Sequence, residues 1–235
     1  MIDDLDDLDS DDADANADIN DEMIDDLDDL DSDDSDITEI SDTEDCIYDR
    51  VIRNAPVKFS HEQLSFINLA VKEKMNLLLT APAGYGKSAI ISTVVKLFEH
   101  TLKPYNIEWL YAKYGHNYST NNILLCPTYG LCASTGKAAS LIKGRTLHSF
   151  LGIGLGRGTY HDWYNRLTTF KYMKGTLDKL RAVQVIIIDE ISMISAEMLD
   201  KISDYLKLIK RADTPFGGIQ LILVGDFSQL PPVHG

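Results

Sequence analysis

Residues 75–88 read MNLLLTAPAGYGKS, and this stretch decides the fold. Met75 to Thr80 is a short apolar run that predicts a buried strand, and the glycine loop Ala81–Ser88 (APAGYGKS) follows it directly. Small residues in such a loop let backbone N–H groups close around phosphate groups at the start of a helix. An amphipathic helix is expected from Lys87 to about His100, so the stretch predicts a phosphate-binding loop.

Two side chains of this loop carry its chemistry. Lys87 is expected to reach the outer phosphates, and the Ser88 hydroxyl is expected to ligate magnesium. The usual pattern begins with a glycine, where this chain has Ala81. Alanine is compatible with that position if its backbone angle φ is negative.

Upstream of the loop, residues 60–74 have the pattern of a helix. Ser60 and Gln63 have the spacing of a capping box at its start. Gln63 either completes this box or reads the edge of an adenine with its amide, and the residues alone leave both open. The residues expected to hold the nucleotide are Gln63, Pro82, Ala83, Gly84, Tyr85, Gly86, Lys87 and Ser88.

A second apolar strand, from Val183 to Asp189, ends in two acids. Carboxylates at the carboxyl edge of a parallel sheet face its ligand. Asp189 is expected to hold magnesium, directly or through water, and Glu190 to orient and deprotonate the attacking water. The alternative is a helix cap or an ion pair at the end of a strand.

The segment Leu223–Pro232 (LVGDFSQLPP) closes a further strand, Ile219 to Gly225. Gln229 is expected beside the γ-phosphate, where an uncharged amide can report hydrolysis through hydrogen bonding, and the alternative is a surface turn. Prolines 231 and 232 would stiffen the end of the segment. The expected catalytic residues are Lys87, Glu190 and Gln229.

The order of elements predicts an α/β fold. Apolar strands alternate with amphipathic helices, which favours a parallel sheet covered by helices on both faces. The other expected elements are a strand at Ile123 to Cys126, a helix from Thr135 to about Lys143, a glycine-rich loop at 151–162 and a helix capped by Ser195 that runs to about Arg211.

The charge is divided unevenly along the chain. Residues 1–45 hold 23 of the 37 acidic residues and no Lys or Arg, so residues 46–235 carry 22 basic and 14 acidic side chains. The segment MIDDLDDLDSDD occurs at residues 1–12 and again at 23–34. Such a sequence cannot bury enough apolar surface to fold, so residues 1–45 are expected to be a disordered acidic tail. One interpretation is that the tail solubilises the chain. The other is that it binds a partner, or that it mimics nucleic acid and competes for the basic residues of the body.

Several protein classes are not indicated by the composition. No apolar run is long enough to span a bilayer, and the acidic N-terminus is neither a secretory signal nor a transit peptide. An intracellular protein is therefore expected. Cys46, Cys126 and Cys132 are odd in number and lack metal-ligand spacing, so reduced thiols are expected.

Some residues indicate contact with nucleic acid. Ser134, Thr135 and Gly136 precede a predicted helix, where hydroxyl and N–H groups could hold a nucleic-acid phosphate. His148 and Phe150 lie in a further segment, where each, taken alone, is better explained as structural. Five aromatic residues either stack on bases or form a packed cluster over the sheet: Tyr105, Trp109, Tyr111, Tyr114 and Tyr118.

At this point the sequence resembles a known family, the PIF-type and RecD-type DNA helicases of superfamily one. The segments that carry the resemblance are FSHEQ (Phe59–Gln63), APAGYGKS, ASTGKAA (Ala133–Ala139), TLHSFLGIGLG (Thr146–Gly156), IIIDEISMIS (Ile186–Ser195) and QLILVGDFSQLPPV (Gln220–Val233).

The resemblance implies a RecA-like P-loop NTPase domain, ATP and Mg²⁺ as cofactors, and 5′–3′ movement on single-stranded DNA or DNA junctions. It places the activity in DNA replication, repair, recombination or telomere maintenance. It also implies that Gln63 reads adenine and that Gln229 couples the nucleotide state to DNA. The residues expected along the DNA track are Ser134, Thr135, Gly136 and His148.

One departure from the family concerns the second motor domain. In the family, ATP lies between two RecA-like domains, and the second supplies arginines to the γ-phosphate; residues 46–235 show only the first. Such an arginine can contribute about 10³–10⁵ in rate, so the lone chain is expected to hydrolyse ATP weakly. A second polypeptide or copy would supply the missing domain. The alternative is an inactive half-motor that binds nucleotide or DNA and regulates or complements a partner.

Overall fold

A computed structural model of the chain describes residues 43–105, 107–115 and 128–228. The acidic tail up to residue 42, the strand expected at 123–126, Tyr118 and Gln229 lie outside the described residues. Two acids that composition assigned to the tail, Glu44 and Asp45, form the first turn of a helix that Thr43 caps. A helix therefore begins just before the expected end of the tail at residue 45.

The elements of the described residues follow in chain order. The helices are α1 (Glu44–Arg53), α2 (His61–Val71), α3 (Lys87–Thr101), α4 (Ile107–Tyr114), α5 (Gly136–Leu141), α6 (Leu147–Leu151), α7 (Tyr160–Thr169), α8 (Lys174–Ala182) and α9 (Ala196–Lys210). The strands are β1 (Leu77–Thr80), β2 (Tyr129–Ala133), β3 (Arg145–Thr146), β4 (Val185–Asp189) and β5 (Gln220–Gly225). Short 3₁₀ turns occupy Lys171–Met173, Ile191–Met193 and Pro215–Gly218.

The five strands form one parallel sheet in the order β1-β5-β4-β2-β3. In the middle of the sheet, Ile187 pairs with Leu131 on one side and with Ile222 on the other. Because β5 lies between β1 and β4, the phosphate loop and the acidic strand end flank the end of β5. The predicted α/β fold with a parallel sheet is confirmed.

Helices cover both faces of the sheet, and β4 shows why. Its side chains alternate, as in any strand. Val185 and Ile187 pack with α2 and α3, whereas Ile186 and Ile188 pack with α6, α7, α8 and α9. All four side chains are buried, which explains why this strand is an unbroken apolar run rather than an alternating one.

Strand β2 was not predicted, since the sequence pointed to an earlier strand that ends at Pro127. Gly130 lies in its interior, and glycine usually weakens a strand. Here the glycine is required by packing, because a Cβ atom at Gly130 would lie 2.3 Å from the ring of Phe150. Phe150 is buried there, as its structural interpretation anticipated.

The aromatic segment after α3 forms a packed cluster. Leu110 and Tyr114 of α4 are buried, and the rings of Tyr105 and Trp109 stack with centroids 4.6 Å apart. The Tyr114 hydroxyl donates to the carbonyl of Lys210. Tyr105, Tyr111 and Tyr114 therefore belong to a packed cluster, which is one of the two interpretations that the sequence left open, and the cluster contacts the end of α9. None of the described helices combines the length and the apolar character that a membrane span requires.

Candidate nucleotide and nucleic-acid sites

The loop between β1 and α3 has the backbone that a phosphate loop needs. Gly84 and Gly86 have φ angles of +84° and +82°, in the left-handed region that favours glycine. Ala81 is not among the residues with positive φ, so alanine is compatible with the position where glycine is usual. The Ala81 N–H donates to the carbonyl of Gly225, which ties the loop to the end of β5.

The first turn of α3 has N–H groups that no side chain caps. Its cap residue is Gly86, which provides no side-chain hydrogen bond to the first N–H groups. These groups carry the positive end of the helix dipole. The Lys87 ammonium donates to the carbonyls of Ala81 and Pro82, the latter at 3.0 Å, so it lies folded against the loop that it follows.

Four of the residues predicted to bind phosphate or magnesium or to catalyse hydrolysis line one cavity. Lys87, Ser88, Asp189 and Glu190 line a space of about 410 Å³, together with Ala83, Gly84 and Gly86. The two acids reach it because β4 ends at the same edge of the sheet as β1. Strand order, which the sequence did not reveal, thus brings residues about 100 positions apart to one site.

The two acids differ in their local environment. Asp189 is half-buried, and this burial raises the pKa of its carboxyl group, although the Glu190 N–H and the charge of Lys87 act in the opposite direction. The Asp189 carboxylate accepts that N–H at 2.9 Å. Glu190 has a φ of 55°, an uncommon conformation for a residue with a side chain, of the kind that clusters at functional sites.

The Gln63 side chain makes two hydrogen bonds within the protein. Its Oε1 accepts the Ser60 N–H at 2.9 Å, which completes the capping box. Its Nε2 donates to the carbonyl of Tyr85 at 3.2 Å, which links α2 to the phosphate loop. An amide has a second N–H and a second lone pair, so one donor and one acceptor are left over.

A second site lies beyond the end of β2. Ser134, Thr135 and His148 line a groove of about 630 Å³, which we call the Ser134 groove. The Ser134 Oγ is buried and has no hydrogen-bond partner within the described residues. Gly136, predicted with them, is exposed at the start of α5 and is not part of the groove lining.

Two cations of the Ser134 groove were missed by the sequence analysis. Arg157 lies in the glycine-rich loop after α6, and Lys201 lies on α9, where it pairs with Glu197 at 2.9 Å. The indole N–H of Trp163 donates to the Arg157 carbonyl at 2.8 Å and so holds the loop in place. An arginine among closely spaced glycines was the only signal in the sequence.

The sheet and the first site define a class of protein. A parallel sheet with a phosphate loop after β1 and an Asp-Glu pair after β4 is the nucleotide-binding domain of a RecA-like P-loop nucleoside triphosphatase. Within this class the comparisons point to one family. Residues 127–235 match the family model described as PIF1-like helicase, so this part of the chain carries a PIF1-like helicase domain.

Relatives of known sequence and structure agree with this assignment. The ATP-dependent DNA helicase RRM3 of Saccharomyces cerevisiae is 38% identical to this chain over 180 residues. The match covers 77% of this chain and 21% of that protein. The crystal structure of Pif1 helicase from Candida albicans matches with a TM-score of 0.58 and 35% identity, over 76% of this chain and 34% of that one. The Bacteroides Pif1 helicase in complex with ADP-AlF3 and ssDNA matches with a TM-score of 0.52 and 32% identity, over 75% of this chain and 34% of that one. This chain therefore spans about a fifth of the curated relative and about a third of the solved chains.

Proposed function

We propose that the chain is an ATP-binding motor domain of a 5′–3′ DNA helicase, which couples ATP hydrolysis to movement along single-stranded DNA. The observation that carries this proposal is the cavity where Lys87, Ser88, Asp189 and Glu190 meet. The related Bacteroides helicase was solved with ADP-AlF3 and ssDNA, which supports the same pair of ligands. The cellular processes proposed are DNA replication, repair, recombination and telomere maintenance.

Nucleotide binding would begin at the phosphate loop. The N–H groups around Gly84, Tyr85 and Gly86 would receive the phosphate oxygens, together with the first turn of α3. The Lys87 ammonium would exchange the Ala81 and Pro82 carbonyls for oxygens of the outer phosphates. This exchange replaces neutral acceptors with charged ones, and hydrogen bonds between charged groups are roughly twice as strong.

The residues present fit a magnesium ion. Mg²⁺ usually retains several water molecules and binds through one or two carboxylates and the substrate phosphates. Ser88 and Asp189 offer a hydroxyl and a carboxylate in the same cavity. Among the described residues no group of three or more His, Cys, Asp or Glu side chains could hold a metal ion. The ion would neutralise charge that develops on the phosphates.

The hydrolytic step would rest on Glu190 and Gln229. Glu190 faces the phosphate cavity and would orient the attacking water and accept its proton. Gln229 follows β5, the strand between the phosphate loop and the acidic strand end, and would contact the γ-phosphate and relay its presence to DNA.

Adenine recognition is proposed for Gln63. A Gln amide can bond an adenine with one donor and one acceptor, which is what Gln63 retains after its two hydrogen bonds within the protein. Its bond to the Tyr85 carbonyl places the amide beside the loop that would hold the phosphates.

DNA is proposed to follow the Ser134 groove. Ser134, Thr135, Gly136 and His148 would contact the phosphates and sugars, and such contacts position a strand without reading its sequence. Arg157 adds positive charge to the same groove, whereas the charge of Lys201 is offset by Glu197, which also lines it.

A second candidate function is an inactive half-motor that binds ligands without turnover. The observation that favours it is that Lys87 is the one cation among the described residues that line the phosphate cavity. Full activity would then require an arginine from a second motor domain, on another polypeptide or on a second copy of the chain.

The test is ATP hydrolysis by the purified chain with and without single-stranded DNA. Lys87→Ala should abolish turnover, and Lys96→Ala, which removes an exposed lysine of the same helix, should not. Turnover that rises with DNA supports the motor. Binding of ATP without turnover supports the half-motor. Failure of the wild-type chain to bind ATP contradicts both.

A further inference from the structure

An exposed pair of aromatic rings lies between α7 and α8, outside both sites. Phe170 and Tyr172 are 47% and 75% exposed, and their ring centroids are 5.4 Å apart. By contrast, Trp163 on the preceding helix is 1% exposed. Isolated apolar residues on a surface are ordinary, whereas contiguous exposed apolar patches mark interaction sites.

The charges around this pair are positive. Lys171 and Lys174 are exposed and lie next to the rings in the sequence. Residues 157–182 hold six Lys or Arg and two Asp. Asp178 is buried, and Asp162 accepts hydrogen bonds from Thr159 in a capping box. Phe170, Lys171, Tyr172 and Lys174, which we call the aromatic ledge, therefore present cations beside exposed rings.

The aromatic ledge adjoins the helix that leads to the Ser134 groove. The 3₁₀ turn of the ledge ends at Met173. The Met173 side chain packs against Gly152, since its Cε would lie 2.8 Å from a Cβ atom added at that glycine. Gly152 caps the C-terminus of α6, and His148 of the groove lies near the other end. At 1.5 Å per residue, the five residues of α6 span about 7.5 Å, so one short helix lies between the ledge and His148 of the groove.

We propose that the aromatic ledge binds single-stranded DNA, with a base stacked on Phe170 or Tyr172 and phosphates beside Lys171 and Lys174. This inference rests on the proposed function and extends its DNA track past the groove. Stacking on an aromatic side chain tolerates any base, because every base has a π-face. The ledge therefore adds affinity without adding sequence preference.

The first experiment compares the wild-type chain with Phe170→Ala/Tyr172→Ala for binding of a fluorescent oligothymidine. Loss of one stacked base corresponds to about 1–3 kcal/mol, so binding should weaken at least about fivefold. Affinity for an ATP analogue should be unchanged, since the ledge does not contact the phosphate cavity. The single change Tyr172→Ala, at the more exposed ring, repeats the test if the double variant does not fold.

The second experiment measures how binding depends on salt. For a single strand, each phosphate that a lysine neutralises adds about 0.7 to the steepness of log K against log salt, so Lys171→Gln/Lys174→Gln should reduce the steepness by up to about 1.4. Lys74→Gln/Lys103→Gln is the matched control, because it removes two exposed lysines at the opposite edge of the sheet. This control should leave the steepness unchanged.

Photocrosslinking distinguishes the possible failures. An oligonucleotide that contains 5-iododeoxyuridine should crosslink to Phe170 or Tyr172 of the wild-type chain. If the wild-type chain binds DNA but the ledge variants bind it equally well, the ledge inference is wrong. If the wild-type chain binds no single-stranded DNA, the proposed function falls as well.

Discussion

Two helices begin at the carboxyl edge of the sheet, and their first turns are stabilised differently. Helix α3 follows Gly86, which offers no side-chain bond to the helix N–H groups. Helix α5 follows Thr135, whose hydroxyl accepts the Ala138 N–H at 3.2 Å. The first helix thus leaves its N–H groups for a ligand, whereas the second satisfies one of them internally.

The surroundings of the two helix starts differ in the same sense. Next to α3 lie Lys87, Ser88 and two acids, which suit a phosphate and its cation. Next to α5 lie the hydroxyls of Ser134 and Thr135, and the charges of the groove come from other elements. A helix start whose cap leaves its N–H groups unpaired therefore has more donors to offer a phosphate. We expect α3 to hold the nucleotide tightly and α5 to contribute weakly to DNA binding.

The largest effect is expected at the acids beside α3. Glu190→Gln removes the proposed general base but keeps a side chain of similar size. Turnover should fall by about 10²–10⁴, the usual contribution of general acid–base catalysis. Nucleotide affinity should change little. Single-turnover ATP hydrolysis and equilibrium binding of an ATP analogue measure the two quantities separately. Equal losses in both would show that Glu190 holds the nucleotide rather than the attacking water.

The glycines at the two helix starts offer a matched pair. Gly86→Ala places a Cβ at a φ of +82° and 3.2 Å from the Gln63 Nε2. Such a conformation costs on the order of 1–3 kcal/mol for a residue other than glycine, so the free energy of unfolding should fall by that amount. Nucleotide affinity should fall with it, because the loop backbone must shift.

Gly136→Ala is the control at α5. Gly136 is not among the residues with positive φ, and nothing lies within 4 Å of its Cβ position. Alanine there should raise the free energy of unfolding by about 0.4–1 kcal/mol, because it restricts the unfolded chain. Chemical denaturation measures both variants. Equal destabilisation by the two changes would contradict the difference between the helix starts.

The pH dependence of nucleotide binding tests the half-buried acid beside α3. Burial raises the pKa of Asp189, so the carboxyl group takes up a proton at a higher pH than an ordinary aspartate. The proton competes with Mg²⁺, so affinity for the magnesium–nucleotide complex should fall as the pH falls through this pKa. Below it, the loss should approach about tenfold per pH unit. Isothermal titration with Asp189→Asn as the control measures this, and an unchanged profile in that variant would exclude Asp189 as the group responsible.

Each part of the phosphate site that was predictable from sequence is a short continuous segment of the chain. The phosphate loop and the acids at 189 and 190 each follow an apolar run, so local pattern alone locates them. The Ser134 groove was only half predicted, because Arg157 reaches it through a hydrogen bond from Trp163 and Lys201 through the packing of α9. No local pattern encodes those contacts.

Helices α7 and α8 were missed for a related reason. Only Trp163 and Leu167 of the ten residues in α7 are buried, so its apolar face is too narrow to produce a clear helical period. In α8 a charged residue, Asp178, lies among the buried positions and interrupts the pattern. The apolar pattern of both segments is therefore too sparse to predict a helix by itself.

The smallest effect is expected at the cap of α5. Thr135→Ala removes the hydroxyl that accepts the Ala138 N–H, which should lower the free energy of unfolding by about 0.5–2 kcal/mol. Thr135→Ser keeps an equivalent hydroxyl and should recover most of that loss. DNA affinity should change by less than nucleotide affinity does in Gly86→Ala, because the Thr135 oxygen already accepts the Ala138 N–H and mainly its O–H remains to donate to a DNA phosphate. If Thr135→Ala weakens DNA binding strongly while stability is unchanged, the hydroxyl is a DNA contact rather than a cap, and the contrast between the two helix starts would fail.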